Sequence, residues 1–245
     1  MSQPTENFEP KTRVNGPLAD SDTEIAGYNT KNLRGGFIRK VYLILLSQLL
    51  VTTLAVVIVY TNPSIQRFQK TNYWLLIICV VISICSIYAL GCYKSLARSV
   101  PTNYLILSVF TIAESYIVSA VVALSDEKSV LIAVVLTTAI VLALTIYAFT
   151  TDTDFTLLGG LLFILGAALI MGGILAFFIR DRVFSLVISV IATIIFGIYL
   201  IYDTQLIIGN KENKFNIDDY CFAAVSLYID IISIFLNVLS IISNK

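Results

Sequence analysis

Histidine is absent from the 245 residues, tryptophan occurs once and methionine twice. Without histidine the chain lacks the usual general base, the usual zinc ligand and the side chain that titrates near neutrality. Any response to pH must then come from carboxylates in unusual surroundings. Charge is scarce as well: charged residues are 13% of the chain, and 16 basic residues balance 16 acidic ones. A chain with no net field has little to attract a phosphate backbone, which argues against nucleic acid as a partner. The four cysteines, Cys79, Cys85, Cys92 and Cys221, form no Cys-x-x-Cys pair and lie in or beside apolar runs. Their expected role is that of small buried hydrophobes, not of disulfide partners or metal ligands.

What the chain has in abundance is apolar surface: 58% of residues are hydrophobic and the mean hydropathy is +0.88. A soluble domain of this length could not bury that much, whereas a lipid bilayer accommodates it. Residues 1–33 are polar and punctuated by Pro4, Pro10, Gly16 and Pro17, the pattern of a disordered tail. No apolar core follows a charged start, so a cleaved signal peptide is not expected. Residues 34–245 form a transmembrane domain of seven apolar runs, at about 41–60, 74–93, 104–124, 129–149, 157–179, 183–208 and 220–242. Each approaches the ~20 residues that a helix needs to cross ~30 Å of hydrocarbon. Short connections make sequential helices antiparallel neighbours. Tyr60, Tyr73, Trp74, Tyr93 and Tyr104 mark run ends as interfacial aromatics, and the distribution of lysine and arginine slightly favours a cytoplasmic N-terminus. In the fifth run, Ala168, Gly172 and Ala176 recur every four residues among Gly159, Gly160, Gly166 and Gly173, a spacing that lets helix backbones approach closely.

Three acids interrupt the apolar runs: Glu114 in the third, Asp203 in the sixth and Asp230 in the seventh. An ionised carboxylate near the bilayer centre costs at least ~2.5 kcal/mol on insertion scales, so each needs a partner, a proton or a cation. With ~1.5 Å of rise per residue, Asp203 lies ~8 Å from the end of its helix and Asp230 ~15 Å from the start of the next. Side chains lean toward the N-terminus of their own helix, which narrows that difference in an antiparallel pair. If the two carboxyl groups meet, one retains a proton and the pair titrates as a unit. The same oxygens suit a hard cation such as Ca²⁺, which would compete with the proton. Thr204, Gln205, Asn237, Tyr202, Ser226 and Tyr228 add oxygen atoms that could line a polar path, with Glu114 as a secondary acid. A purely structural reading pairs each acid with a base that sets helix register, and Arg98 is the first candidate. Asp154, ahead of Phe155 and Thr156, has the position of a helix cap.

The residues that carry these features resemble the transmembrane Bax inhibitor motif family, and within it the Lifeguard branch. The resemblance covers Gly36-Phe-Ile-Arg-Lys-Val-Tyr-Leu entering the first span, Arg98 with Pro101 and Asn103, Phe110-Thr-Ile-Ala-Glu114 and Asp154-Phe-Thr-Leu-Leu-Gly-Gly-Leu-Leu-Phe163. Its most specific segments are Tyr202-Asp-Thr-Gln-Leu-Ile-Ile-Gly-Asn-Lys211 and Asp219-Tyr-Cys-Phe-Ala-Ala224 through Leu227-Tyr-Ile-Asp-Ile-Ile-Ser-Ile-Phe-Leu236. The resemblance implies an all-α membrane fold whose last helix is surrounded by the other six. It also implies a Ca²⁺ leak governed by a pH-sensing pair, Asp203 and Asp230, with Arg98 as a latch on Asp203. The implied setting is the Golgi or endoplasmic reticulum membrane, or the plasma membrane. There, lowering stored Ca²⁺ restrains cell death, with apoptosis regulators as candidate partners; no cofactor is implied beyond Ca²⁺ as the permeant ion.

Two other functions fit some features of the pattern. An intramembrane aspartyl protease also places Tyr-Asp on its sixth helix, as Tyr202-Asp203 does, but Asp230 lies in Tyr-Ile-Asp and not in Gly-x-Gly-Asp. A cation/proton exchanger could use the same two acids. The absence of the protease motif leaves a non-enzymatic cation path as the expectation.

Overall fold

The computed structural model describes the backbone of residues 17–179 and 181–243, and side chains from residue 32 onward with Phe177 excepted. Every regular element among these residues is helical: α1 (Pro17–Thr61), α2 (Pro63–Thr71), α3 (Tyr73–Cys92), α4 (Lys94–Arg98), α5 (Thr102–Val122), α6 (Glu127–Thr150), α7 (Gly159–Ile179), α8 (Arg182–Ile208) and α9 (Tyr220–Ser243). Two 3-10 turns, Phe155–Leu158 and Ile217–Asp219, lead into α7 and α9. Seven helical segments are long and apolar enough to cross a membrane. They coincide with the expected runs, and the chain is a multi-pass membrane protein. Two elements were not expected: α2, begun by Pro63 at a first-turn position that tolerates proline, and the single turn α4. Of the polar tail, residues 1–16 lie outside the described residues. From Pro17 onward it is helical and continuous with α1, where irregular chain was expected to residue 33.

Helix α9 is the inner element. It packs most extensively on α8 and also against α6, α1, α5 and α3, whereas α7 packs chiefly on α8 and on the turn before it. The expectation of a last helix ringed by six others therefore needs adjusting, because α7 sits outermost. The burial of the spans agrees: 44% of the apolar window is buried in α5 and in α9, against 6% in α7. Tyr220, Cys221, Ala223, Ala224, Val225, Leu227 and Tyr228 are all buried, so the first turns of α9 are enclosed all round and not along one stripe. The outer surface carries large exposed apolar side chains such as Leu105, Leu124 and Phe163, as a lipid-facing surface requires. Cys85 and Cys92 lie on that surface and Cys79 is half-buried, so of the four cysteines only Cys221 is the buried hydrophobe expected.

The small residues of α7 act as expected, but selectively. A Cβ on Gly166 would fall 2.6 Å from the Tyr199 hydroxyl, one on Gly159 would fall 2.9 Å from that of Tyr202, and one on Gly172 would fall 3.1 Å from Ile188 Cδ1. Gly160 and Gly173 face open space. The close approach lets the Tyr199 hydroxyl of α8 donate to the Leu162 carbonyl of α7.

Polar side chains finish the helix ends that the apolar pattern leaves open. Asp126 accepts from the Ser129 N–H (3.0 Å) at the start of α6, and Asp181 accepts from the Phe184 N–H (2.8 Å) at the start of α8. Helix α8 ends on Gly209, whose φ of +69° is the left-handed conformation that favours glycine. Over that end lies the Arg34 guanidinium, donating to the carbonyls of Phe215 (2.7 Å), Ile208 (3.2 Å) and Leu206. A cation is thereby set against the negative end of the helix dipole.

The connections before α7 and after α8 are stitched together beside this cap. Asp154 accepts from the Thr156 hydroxyl (2.6 Å), the Thr156 N–H (2.9 Å) and the Glu212 N–H (3.2 Å). Lys211 Nζ donates to the Asp152 carbonyl at 2.7 Å. Asp154 thus caps the turn into α7, as its position in the sequence suggested. The Thr156 hydroxyl bond above all, with the two amides and the Lys211 charge, holds the Asp154 carboxyl below its ordinary pKa.

Two measurements test this packing. Gly166→Leu is expected to displace the Tyr199 hydroxyl and destabilise the protein by about 1–3 kcal/mol, lowering the thermal unfolding midpoint in detergent relative to Gly160→Leu. Asp154→Ala is expected to speed amide exchange at Thr156 and Glu212 at neutral pH. Because the folded pKa of Asp154 is depressed, its contribution is present above the unfolded value and lost only as pH falls through the lower folded one. Wild-type protection should therefore decline under acid while the variant stays uniformly weak.

Candidate functional site

Asp203 lies near the C-terminal end of α8 and Asp230 near the middle of α9. The antiparallel packing of these helices brings the two carboxyl groups together as hydrogen-bonding partners. A hydrogen bond between two carboxyl groups requires a proton on one of them. Both residues are buried, with 8% and 4% of their surfaces exposed, and Asp230 Oδ2 has no hydrogen-bond partner. Two carboxyl groups meeting in so dry a setting favour retention of a proton by one of them. Tyr199 lies within the electrostatic reach of both carboxyl groups.

The other expected residues separate into different surroundings. Thr204 is fully buried, and its hydroxyl faces Tyr42 of α1. Gln205 is turned toward the loop: its Nε2 donates to the Thr153 carbonyl (2.9 Å), and its Oε1 accepts from the Phe155 N–H (2.8 Å). Tyr202 lies against Gly159 of α7. Asn237 Nδ2 donates back to the Ser233 carbonyl of its own helix at 2.8 Å. Tyr228 faces α1 and α5, with its hydroxyl 2.8 Å from Thr52 Oγ1 and its ring edge-on to Phe110. These five side chains do not form the single polar path envisaged around the acids. A helix offers its side chains in all directions, and each found a different neighbour.

Arg98 is likewise placed elsewhere. Its Nε and Nη2 donate to Asp219 Oδ1 (2.7 Å) and Oδ2 (2.9 Å), a bidentate pair at the partly exposed end of the bundle. Helix α4 ends on Arg98 and the chain turns away through extended Ser99, so the guanidinium meets the turn before α9 and not the buried Asp203. The latch on Asp203 is thus corrected to a clasp between α4 and the start of α9. Glu114 stands apart from the di-acid pair, on the face of α5 that meets α3, with Ser83 beside its carboxyl group. No group of three or more His, Cys, Asp or Glu side chains that could hold a metal occurs among the described residues.

The sequence reading did not identify Arg34 as the cap on α8. Its signal was a glycine, Gly209, directly after an apolar run, which marks a helix end in need of a donor. Tyr199, which borders the pair, and Tyr42, which faces Thr204, carried no separate signal.

The family model described as "Inhibitor of apoptosis-promoting Bax1" matches residues 34–245. The chain is 28% identical to "Protein lifeguard 3" of Mus musculus over 232 residues, which cover 93% of this chain and 75% of that protein. It is 38% identical over 221 residues to "Protein LIFEGUARD 4" of Arabidopsis thaliana, which cover 85% of each. With "Golgi anti-apoptotic protein" of Vaccinia virus (strain Lister) it shares 34% identity over 216 residues, 87% of this chain and 88% of the viral one. With six spans, nearly all of the first and both aspartates inside the matched region, the chain belongs to the Bax inhibitor family and stands among its Lifeguard relatives.

Proposed function

We propose that this protein is a pH-sensitive, Ca²⁺-permeable leak of an intracellular membrane, with Asp203 and Asp230 as its cation and proton site. The observation that supports it most directly is the meeting of two buried carboxyl groups from consecutive spans. While a proton bridges them, the pair carries at most one negative charge and has little to offer Ca²⁺. Loss of that proton leaves two anionic groups in a low dielectric, and a divalent cation is what relieves their repulsion. The name of the viral relative, Golgi anti-apoptotic protein, is the basis for extending the reading to the Golgi membrane and to restraint of cell death.

The position of Arg98 gives this reading a sign. A latch on Asp203 would oppose cation entry as the pair deprotonates; an Arg98 held by Asp219 exerts no such opposition. Ca²⁺ permeation should therefore rise with pH.

Proteoliposomes loaded with a Ca²⁺ dye provide the test. Influx is expected to increase from about pH 5 to about pH 8 as the shared proton is lost. Asp203→Asn or Asp230→Asn should cut the flux about tenfold and flatten its pH profile, since either change removes the di-acid. Wild-type flux and pH profile in both variants would exclude the pair as the site. Arg98→Gln is expected to leave the pH midpoint in place; a shift as large as that of Asp203→Asn would restore the latch. Obligatory proton counter-transport, seen as a Ca²⁺-driven pH change inside the vesicles, would make the protein an exchanger instead.

A further inference from the structure

At the end of the bundle away from the Arg98 clasp lies a polar site that the di-acid pair does not use. Helix α2, between the first two spans, packs there against α1, α3 and α5. A cavity of about 270 Å³ opens between α2, α3 and α5. Tyr73, the first residue of α3, and Leu124, just past the end of α5, both line it, so it sits where two spans leave the hydrocarbon. The exposed rings of Tyr73 and Trp74 mark that level as the membrane interface.

The cavity wall combines an amide, a phenol, a cation and a strip of hydrocarbon. Gln69 of α2 is 7% exposed, and a relay fixes the orientation of its amide. The Ser119 hydroxyl donates to the Tyr116 carbonyl (2.9 Å), so its oxygen is free to accept from Gln69 Nε2 (3.1 Å). Gln69 Oε1, an acceptor, is thereby left without a partner, and so is the buried hydroxyl of Tyr116 on the same wall. Buried polar atoms are nearly always satisfied, so these two mark a place for a guest that both donates and accepts. Lys70 is the one charged side chain in the lining among the described residues, and no acid occurs from Asn62 to Tyr93. Its charge favours an anion and disfavours an ammonium group. Leu76, Val121 and Leu124 supply the apolar part of the wall.

We propose that this cavity holds the headgroup of an anionic phospholipid that bears hydroxyls, such as glycerol or inositol. Lys70 and the Tyr116 hydroxyl take the phosphate, Gln69 Oε1 accepts from a headgroup hydroxyl, and Leu76, Val121 and Leu124 receive the start of an acyl chain. A choline headgroup offers neither net charge nor a donor, so phosphatidylcholine is disfavoured on both counts. The site is separate from Asp203 and Asp230 and its test involves no ion flux, so either reading can fail alone.

The single tryptophan of the chain is a native reporter, because Trp74 follows the lining residue Tyr73 and is 54% exposed. Its fluorescence is measured in phosphatidylcholine vesicles in which a minority lipid carries brominated acyl chains. Brominated phosphatidylglycerol is expected to quench Trp74 as though enriched about fivefold over brominated phosphatidylcholine. Phosphatidylmethanol has the same charge and no hydroxyl, and should be enriched about threefold less than phosphatidylglycerol. Lys70→Gln should remove most of the preference for anionic lipid, and Tyr116→Phe should weaken it about threefold. Gln69→Leu should make phosphatidylglycerol and phosphatidylmethanol equal, while quenching by brominated phosphatidylcholine stays at the wild-type level in every variant. Equal quenching by phosphatidylglycerol and phosphatidylcholine, equal quenching by phosphatidylglycerol and phosphatidylmethanol, or preferences that survive Lys70→Gln and Gln69→Leu would overturn the site. So would relief of the quenching by millimolar glycerophosphoglycerol, which would make the guest a soluble phosphate ester and not a lipid.

Discussion

A bilayer interior gives a carboxyl group no water to lean on, so an aspartate placed there must be met by another group of the same protein. Asp203 and Asp230 meet each other, and much of the architecture can be understood as the means of holding them together. Their contact requires α9 to lie inside the bundle with α8 along its length. Ala223 and Ala224, both fully buried, keep the first turns of α9 slender enough to be enclosed. The contact also requires α8 to be held from its other side, where Gly159, Gly166 and Gly172 let α7 approach the Tyr202, Tyr199 and Ile188 side chains. Moving any of these backbones by about an ångström would separate the carboxyl groups, and the surrounding hydrocarbon cannot solvate either one alone.

The end of the bundle nearest the pair is closed with unusual thoroughness. Arg34 takes up the last carbonyls of α8, Asp154 and Lys211 bind the loops to one another, Gln205 reaches out from α8 to hold Thr153 and Phe155, and Arg98 clasps Asp219 at the entrance to α9. Each contact joins segments far apart in the chain, and together they surround the end of α8 a little over one turn from Asp203. At the opposite end α2 packs against α1, α3 and α5, and a cavity opens beside Gln69 and Tyr116.

How much of this could be read beforehand depended on distance along the chain. The seven spans were legible because hydropathy is a local property and the bilayer imposes one length on every crossing. The pairing of Asp203 with Asp230 was legible because a short connection forces antiparallel neighbours, after which helical rise leaves few registers. The cap at Asp154 rests on contacts within two residues. Arg98 failed for the complementary reason: its partner is 121 positions away, and the choice between Asp203 and Asp219 turns on where a single-turn helix ends. The polar residues beside the acids failed because neighbours in sequence point in different directions around a helix. Tyr202, Asp203, Thr204 and Gln205 face α7, α9, α1 and the loop at Thr153 respectively.

By itself, then, the sequence determined that this is an all-helical membrane protein with acids in its third, sixth and seventh spans, because a bilayer reads composition and length residue by residue. Tertiary structure alone decided which acid has a partner, which base serves a helix end and which glycine is contacted. Those outcomes depend on the rotation of each helix about its own axis, a quantity set by packing against neighbours from distant segments of the chain.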